Sequence, residues 1–559
     1  MVKKLKIGIL FKQKNQLFDW QIKTIEEILN SDFADIVCTF SYKSEKNTNL
    51  NFLINLLNNI LYFIISLIEN KYSKVQRLEK LKIVQNYLSQ IQKYEVTYRK
   101  KILENNLFAE KTVLQKASTL DILICFDAKN LKGRILLLPK HGTWLFNYGV
   151  NETKFAGFWE CFNNSSITIV ILQKIKQDKS IIILETIDKG FYSTKMSSWF
   201  LNREFISEKS STLLLKNLRL TANGIKQNND NLNSAENKNY NNPNFLIFVI
   251  YILRKYPKAI LRKIFKLKKK DDKEPKYNPW NLHIGKKTID LILPLADTKR
   301  LIPPENNAWC DPFLISIDEK KYLFFENYEY KNKKGKISFT EIKNNNITTI
   351  QDALILDYHL SYPFVWQENK DIFMMPETAD TKRVEIWKAS EFPTKWKLHK
   401  VLFEGESCVD TTLFKNNNGD IWLFTNKSND KFNDHNSELY IYKIENEFNK
   451  ITPHILNPVI TDCRIARNAG NIFYDNKNRI IRPSQINISD FYGGGLNLRK
   501  IQELNLEKFR ETNVASYFPN FTKNINALHH FTQNKDTFVV DVRYKKGLLK
   551  FLPKVFSFN

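Results

Sequence analysis

Five segments in the second half of the chain repeat one pattern, which restricts the possible folds more than any other feature. Each segment has an apolar strand, a polar turn, a second apolar strand and a polar residue at its end. A hairpin-rich unit with a period of about fifty residues is typical of propeller blades. We therefore predict an all-β five-bladed propeller over residues 281–559. The segments are CDPFLISIDEKKYLFFE (310–326), SYPFVWQENKDIFMMPE (361–377), VDTTLFKNNNGDIWLFTN (409–426), NAGNIFYDNKNRIIRPSQ (468–485) and ALHHFTQNKDTFVVD (527–541).

Alignment of the five segments places polar residues at two equivalent positions of the blades. The inner position holds Asp311, Tyr362, Asp410, Ala469 and His529, and the blade end holds Glu326, Glu377, Asn426, Gln485 and Asp541. A propeller brings equivalent positions together around its central funnel. Glycosidic bonds are processed by two carboxyl groups that flank one sugar, one protonated and one ionised. The predicted catalytic residues are therefore Asp311, Glu326, Glu377 and Asp410.

Further polar side chains near the same rim are candidates for substrate binding. Arg467 and Arg482 are suited to hold a phosphate or uronate through paired hydrogen bonds. The full predicted set is His359, Tyr362, Arg467, Arg482, Gln485 and His529. The alternative is structural, because polar residues at strand ends also make turns and tie neighbouring blades together.

The first half of the chain alternates strand and helix patterns, which favours an α/β domain with a mostly parallel sheet. Buried-strand candidates are KIGILF (6–11), FADIVCTF (33–40), LDILICF (120–126), RILLLP (134–139) and ITIVILQ (167–173). The apolar run 52–68 contains adjacent Asn residues and predicts a helix packed on the sheet rather than a membrane span. We expect this domain to cover 1–220 and to be followed by an Asn-rich linker and a basic amphipathic helix over 221–280.

The net charge of +26 lies almost entirely in the first half. Residues 1–300 carry 50 Lys and Arg against 27 Asp and Glu. An anionic partner and a coding bias towards Lys and Asn both explain this excess. The segment 245–270 joins an apolar stretch to clustered Arg and Lys, which resembles an interfacial amphipathic helix more than a membrane span. Contact with an anionic membrane surface and a helix docked on the α/β domain with a solvated basic face are the two interpretations.

The cysteines, the N-terminus and the motifs that the sequence lacks limit the possible cellular compartments and partner classes. The six cysteines are scattered without a CxxC pair, which argues against disulfides and zinc and favours the cytoplasm. Membrane contact through the basic segment 245–270 would add a peripheral position on the inner membrane face. The N-terminus lacks the pattern of a signal peptide. The sequence carries no phosphate-binding or metal motif and no nucleic-acid module. We predict no metal and no nucleic-acid partner.

Residues 280–545 resemble two groups of five-bladed propeller. The strings are DPF (311–313), HLSYPFVW (359–366), MPET (375–378), EFPTKW (391–396), VDTT (409–412) and IRPSQ (481–485). They are similar to the family-43 glycosidases and more so to the N-terminal domain of plant glucosamine inositolphosphorylceramide transferases. The resemblance implies a carbohydrate or glycolipid substrate. Tyr362 stands where the hydrolases carry an Asp, and the transferase domain of the plant proteins has no counterpart in this sequence.

Residues 1–220 resemble the formyltransferase family, on KGRILLLPKHGTWLF (132–146), GFWE (157–160) and the region of Asp178. The resemblance implies a site with an Asn–x–His element and an Asp. The element falls on Leu138, Pro139 and Lys140, with His141 one position later, while Asp178 corresponds to the acid. Because Leu cannot donate a hydrogen bond to an oxyanion, the predicted site is degenerate and no folate donor or other cofactor is expected.

These observations leave three functional hypotheses. The first is an enzyme for glycosyl transfer or hydrolysis on a surface glycan or glycolipid, with its site in the propeller funnel. The second is a non-catalytic glycan- or glycolipid-binding protein built from two inactive enzyme domains. The third is a sugar-amine N-formyltransferase.

Overall fold

The computed structural model divides the chain into two compact units, residues 1–272 and 273–559. Its described residues are 4–12, 17–42, 52–69, 78–101, 104–126, 131–178, 181–225, 240–268, 279–288, 291–343 and 346–545. The six cysteines are free and buried.

The first unit is a nine-stranded mixed sheet with helices. Its strand order is β6-β4-β3-β2-β1-β5-β7-β8-β9, and five of the eight pairings are parallel. The strands are β1 (Leu5–Lys12), β2 (Ala34–Tyr42), β3 (Gln92–Lys101), β4 (Glu104–Phe108), β5 (Ile122–Cys125), β6 (Leu131–Lys132), β7 (Thr143–Asn147), β8 (Ile167–Asp178) and β9 (Ile181–Ser193). The helices are α1 (Asp19–Leu29), α2 (Phe52–Glu69), α3 (Leu78–Gln90), α4 (Lys111–Ser118), α5 (Phe158–Asn163), α6 (Trp199–Ala222) and α7 (Phe245–Lys268). An α/β fold is confirmed.

Apolar β-branched runs form the central strands because both faces of this sheet are covered. Ile7, Ile9 and Leu10 of β1 and all of β5 are buried. One predicted strand is wrong: residues 134–139 contain a 3-10 turn at 134–137. Gly133 precedes it with φ +142, and a Cβ there would lie 2.4 Å from the Leu107 carbonyl oxygen, so only glycine permits this bend.

The second unit is the predicted five-bladed propeller. Its strands are β10 (Trp280–Lys286), β11 (Lys299–Leu301), β12 (Asn307–Ile317), β13 (Lys320–Glu329), β14 (Lys334–Lys343), β15 (Asn346–Ile347), β16 (Gln351–Leu354), β17 (Ser361–Glu368), β18 (Asp371–Glu377), β19 (Val384–Glu391), β20 (Lys395–Leu402), β21 (Ser407–Lys415), β22 (Ile421–Ser428), β23 (Glu438–Glu445), β24 (Lys450–Pro453), β25 (Ile460–Thr461), β26 (Phe473–Tyr474), β27 (Ile480–Gln485), β28 (Leu496–Leu504), β29 (Phe509–Tyr517), β30 (Ile525–Gln533) and β31 (Thr537–Tyr544). Blades 1 to 4 are β12–β16, β17–β20, β21–β25 and β26–β29.

Blade 5 closes the ring with strands from both ends of the propeller. It has the order β11-β10-β31-β30, and β10 pairs antiparallel with β31 so that Leu282 faces Asp541. Apolar side chains between the blades fill the interior, for example Phe313, Phe364 and Leu423 in one shared cluster. The closed ring places the inner strands of all blades around one funnel.

Candidate functional site

One cavity of about 400 Å³ opens in the propeller, and the four predicted catalytic carboxyl groups all line it. They come from three different blades. The lining residues are Trp280, Ala308, Cys310, Asp311, Glu326, Tyr328, Tyr330, His359, Ser361, Glu377, Asp410, Arg467, Tyr492 and His529. A concave pocket with convergent polar groups is the usual form of a ligand site.

A backbone irregularity at the inner position directs these side chains. The pairing register of the inner strand shifts at this position in four blades, next to Asp311, Tyr362, Asp410 and His529. The first three have left-handed φ angles of +51, +44 and +49. Bulges re-aim side chains beside active sites, and a left-handed backbone is costly for residues other than glycine. The repeat aligned from sequence therefore marks a real, strained feature of the blades.

Asp311 lies in a buried charge cluster with two histidines and Asp541. His529 Nε2 donates to Asp311 Oδ1 at 3.1 Å, and His529 Nδ1 lies 2.9 Å from Asp541 Oδ1. Burial opposes the charge on Asp311, but the hydrogen bond from His529 and the nearby His530, whose Nδ1 lies 3.5 Å from Asp311 Oδ1, prevail and hold the pKa of Asp311 well below its usual range. Burial likewise opposes the imidazolium, yet Asp541 and Asp311 raise the pKa of His529 to about 10. Asp311 is thus ionised beside a charged His529.

Glu326 carries the opposite protonation state in the same cavity. Burial, followed by the charge of Asp311, raises the pKa of Glu326 to about 8. Its Oε2 accepts a hydrogen bond from Cys310 Sγ at 3.0 Å, and its Oε1 lies 3.6 Å from His359 Nε2. Gly335 N donates to His359 Nδ1, which leaves the proton of a neutral His359 on Nε2, facing Glu326. A neutral carboxylic acid beside an ionised Asp311 meets the requirement for a proton donor.

A second pair, Glu377 and Asp410, forms another part of the wall. Burial and then the charge of Asp410 raise the pKa of Glu377 well above its usual range, although Arg467 opposes this. Asp410 Oδ2 accepts hydrogen bonds from Arg467 Nε at 2.6 Å and from Gln485 Nε2 at 3.1 Å. Gln485 does not line the cavity but positions Asp410 from behind.

Three blade-end side chains also tie neighbouring blades together, as the structural interpretation anticipated. Each accepts a hydrogen bond from a backbone N–H at or beside the inner position of the next blade. The pairs are Asp541 with Asp311 at 3.1 Å, Glu377 with Asp410 at 3.3 Å and Asn426 with Asn468 at 2.9 Å. Glu326 differs, because its carboxyl group contacts Cys310 of its own blade and faces the cavity. Among the blade-end acids it is the best placed for chemistry.

Aromatic side chains that sequence reasoning missed complete the cavity. Trp280 lies on the closing strand β10, and its ring centroid is 4.3 Å from that of His529. Tyr492 lies beneath the Arg467 guanidinium, 4.8 Å from its ring centroid. Gly493 has φ +77, and a Cβ there would lie 3.1 Å from Trp280, so the FYGGG segment (491–495) is shaped to bring the two rings together. That glycine run was the available sequence signal. Flat aromatic faces of this kind suit sugar rings.

Besides Gln485, two more of the predicted binding residues do not line the cavity. Tyr362 is fully buried, and its hydroxyl is bonded to the backbone of Gly470. All N–H donors of the Arg482 guanidinium have acceptors: Glu511, Asn468 and the carbonyls of Ala466 and Ile465. Arg482 therefore holds blade 4 together and presents no donor to a ligand.

Two groups of side chains lie close enough to share a metal ion, with ligand atoms within 4.8 Å of one another. They are Cys310, Asp311 and Glu326, and Asp311, His529 and Asp541. Hydrogen bonds already join the second group, and the first contains a thiol and an acid that burial keeps protonated. Neither arrangement favours a cation, and the absence of a metal stays a prediction.

The positions predicted as a degenerate formyltransferase site lie at one edge of the first unit's sheet. Lys140 and His141 precede β7, and β8 runs antiparallel to β7 and ends at Asp178, whose side chain lies outside the described residues. Ligands of such sheets bind at the carboxyl ends of the parallel strands, which is the opposite edge. At that edge β7 ends with buried Asn147, which accepts a hydrogen bond from Gly149 N. This placement gives the predicted formyltransferase site no support.

Comparison with known proteins bears on the propeller. Residues 294–541 match the family model of the N-terminal domain of glucosamine inositolphosphorylceramide transferase 1. The predicted similarity of residues 280–545 to the N-terminal domain of these transferases is confirmed. The chain is 31% identical over 213 residues to glucosamine inositolphosphorylceramide transferase 1 of Oryza sativa subsp. japonica, covering 37% of this chain and 28% of the relative. It is 30% identical over 236 residues to the Arabidopsis thaliana protein of that name, covering 40% and 30%. The matches thus span less than a third of these relatives.

Solved structures similar to this chain include glycosidases. A thermostable family-43 glycoside hydrolase has a TM-score of 0.31 and 10% identity, covering 40% of this chain and 82% of that one. The catalytic domain of the GH62 α-L-arabinofuranosidase of Coprinopsis cinerea has a TM-score of 0.32 and 10% identity, covering 48% and 98%. The family-model match begins at residue 294, so the resemblance of residues 1–220 to formyltransferases stays a prediction.

Proposed function

We propose that the propeller cavity is an active site for glycosyl transfer or hydrolysis on a surface glycan or a glycolipid headgroup. The observation that carries the proposal is the opposite protonation of Glu326 and Asp311 within one cavity. Paired titratable groups whose environments separate their pKa values are the mark of acid–base assignment. The similarity to relatives whose name specifies transfer to an inositolphosphorylceramide supports a glycolipid-related substrate.

In this proposal Glu326 donates its proton to the glycosidic oxygen as the bond from that oxygen to the anomeric carbon breaks. Burial, together with the charge of Asp311, keeps the proton on Glu326 until the substrate arrives. Asp410, fixed by Arg467 and Gln485, faces the electron-deficient sugar ring as the opposing carboxylate. The oxygen of water or of an acceptor hydroxyl then bonds to the anomeric carbon and its proton passes to Asp410, giving hydrolysis or transfer respectively. Trp280 and Tyr492 supply faces on which the sugar stacks.

The proposal also assigns a location. We place the protein in the cytoplasm, attached peripherally to the inner face of a membrane through residues 245–270. A glycolipid substrate would be presented at that surface.

A binding function without catalysis is the second candidate. Tyr362 occupies the inner position at which the glycosidases carry an Asp, and its hydroxyl is engaged by Gly470. Several polar side chains of the funnel also serve as ties between blades. A protein that only binds glycans would retain these features.

Turnover of labelled oligosaccharides and sugar nucleotides by Glu326→Gln separates the two candidates. The expected loss of rate is about 10²–10⁴-fold, the usual contribution of a general acid. Glu385→Gln is the matched control: this buried carboxyl group is hydrogen-bonded by Tyr358, Arg383 and Trp387 and does not line the cavity. Saturable sugar binding by the wild type without turnover would establish the binding function instead. Absence of both would refute a carbohydrate site.

A further inference from the structure

Helix α2 of the first unit exposes an unusual amount of apolar surface. Seven large aliphatic or aromatic side chains are each 40–60% exposed: Leu56, Leu57, Ile60, Phe63, Ile64, Leu67 and Ile68. Their spacing of three, four and seven residues places them on one side of the helix. No charged residue occurs between positions 52 and 68. Soluble proteins rarely expose a contiguous apolar patch of this kind without a partner.

The opposite side of α2 is firmly attached to its own unit. Ile65 is fully buried, and the buried Glu69 carboxylate accepts four hydrogen bonds. The donors are Ser198 Oγ at 2.8 Å, Phe200 N at 3.0 Å, Tyr251 OH at 2.9 Å and Tyr256 OH at 2.8 Å. These contacts lock the end of α2 to the start of α6 and to α7. The exposed face is therefore part of a fixed platform.

Helix α7 adjoins α2 and supplies the charge. It carries seven Lys or Arg residues and no acidic residue over 245–268. Leu246 and Leu253, two turns apart, are more than 60% exposed, and Arg254 follows them at the surface. Near Tyr62 of α2, the exposed Lys154 adds a further cation, which Glu152 pairs at 3.0 Å. An apolar helix face next to a helix whose sequence is rich in Lys and Arg and contains no acidic residue matches the interfacial layer of an anionic bilayer.

We propose that α2 and α7 together form an interfacial docking face that inserts apolar side chains of α2 into an anionic membrane surface. This inference deepens the membrane attachment proposed through residues 245–270, on which it rests, by assigning the apolar anchor to α2. Among the described residues no helix is long and apolar enough to cross a bilayer. An α-helix of this length lies about 27 Å along the surface, which allows the whole exposed face to contact lipid at once.

Co-sedimentation of the full chain with phosphatidylcholine vesicles, with and without phosphatidylglycerol, tests the inference. Phe63→Gln combined with Leu67→Gln should lower the partition coefficient on anionic vesicles at least about tenfold, because two anchors leave the apolar phase. Ile302→Gln combined with Ile355→Gln is the matched control: two exposed aliphatic side chains of the propeller are changed, and binding should not change. Arg262→Gln combined with Lys263→Gln should weaken binding about fivefold per charge at low salt and have little effect at high salt.

The outcomes test the attachment through α7 and the apolar anchor on α2 separately. If the charge variant loses binding and the α2 variant does not, attachment through α7 stands and the α2 anchor is refuted. If the wild type does not bind anionic vesicles, both the attachment through α7 and the α2 anchor are refuted. If the wild type instead self-associates in sedimentation velocity and the α2 variant is monomeric, the face belongs to a second copy of the chain and the inference fails. Circular dichroism of each variant establishes that the fold is retained, and turnover of soluble oligosaccharides reports on the propeller independently.

Discussion

Replacing Glu326 by Gln should make the propeller more stable than the wild type at alkaline pH. Glu326 is neutral in the folded state, with its pKa raised from 4.5 to about 8 by burial and by Asp311. In the unfolded chain the same carboxyl group ionises near pH 4.5. Between these two values the native state retains a proton that the unfolded state has lost, so stability falls as pH rises. Gln has the shape of the protonated acid but has no proton to lose.

The size of the effect follows from the rise of the Glu326 pKa from 4.5 to about 8. At roughly 1.36 kcal/mol for each pKa unit, this amounts to about 3–5 kcal/mol. The unfolding free energy of Glu326→Gln minus that of the wild type should rise by this amount between pH 4.5 and 8 and then level off. Urea unfolding of both proteins across pH 4.5–9, followed by tryptophan fluorescence, measures it. Glu368→Gln changes a half-buried carboxyl group that does not line the cavity, and it should reproduce the wild-type pH dependence. If the unfolding free energies of the wild type and Glu326→Gln depend on pH in the same way, Glu326 is not held protonated in the folded state and the reasoning is refuted.

Other changes have equally specific consequences. Arg482→Met should destabilise the propeller by about 3–5 kcal/mol, because it leaves buried Glu511 and two carbonyls short of donors, while sugar affinity in calorimetry stays within about twofold. Asp311→Asn should abolish turnover and also lower the melting temperature, since the buried His529 loses one of its two anionic partners; an unchanged melting temperature would contradict the charge cluster. Deletion of residues 280–286 should remove the cooperative unfolding transition of the propeller in calorimetry, because blade 5 loses the strand that pairs with β31.

The repeat in the sequence predicted much of the propeller because strand periodicity and polar turns recur in every blade. It also predicted that Asp311, Asp410 and His529 share one cavity, since equivalent positions of a closed ring must meet. Trp280 was missed because it precedes the repeats in sequence but joins the last blade through β10. Tyr492 was missed because its loop lies outside the repeated hairpin.

Sequence alone does not show whether a polar side chain faces the funnel or the neighbouring blade. Arg482 and Asp410 are both polar residues of the same repeat, yet the first is enclosed by blade 4 and the second lines the cavity. The apolar run 134–139 was wrongly predicted to be a strand. The backbone bends at Gly133, which has φ +142, and a 3-10 turn follows at 134–137. Residues 52–68 were correctly predicted as a helix, but α2 packs against α6 and α7, whereas the prediction placed it on the sheet. Its apolar character also did not reveal that one side is exposed.

The pairing of β10 with β31 means that the cavity assembles late in folding. Leu282 and Asp541 meet across about 260 residues, and closing a loop of that length costs about 5 kcal/mol of chain entropy before any contact compensates for it. The other four blades consist of local hairpins that form without this cost. Because Asp541 lies on β31 and holds both His529 and the backbone of Asp311, a chain emerging from the ribosome has no charge cluster until β31 is complete. Synthesis of β31 and the onset of any activity are thus coupled in time.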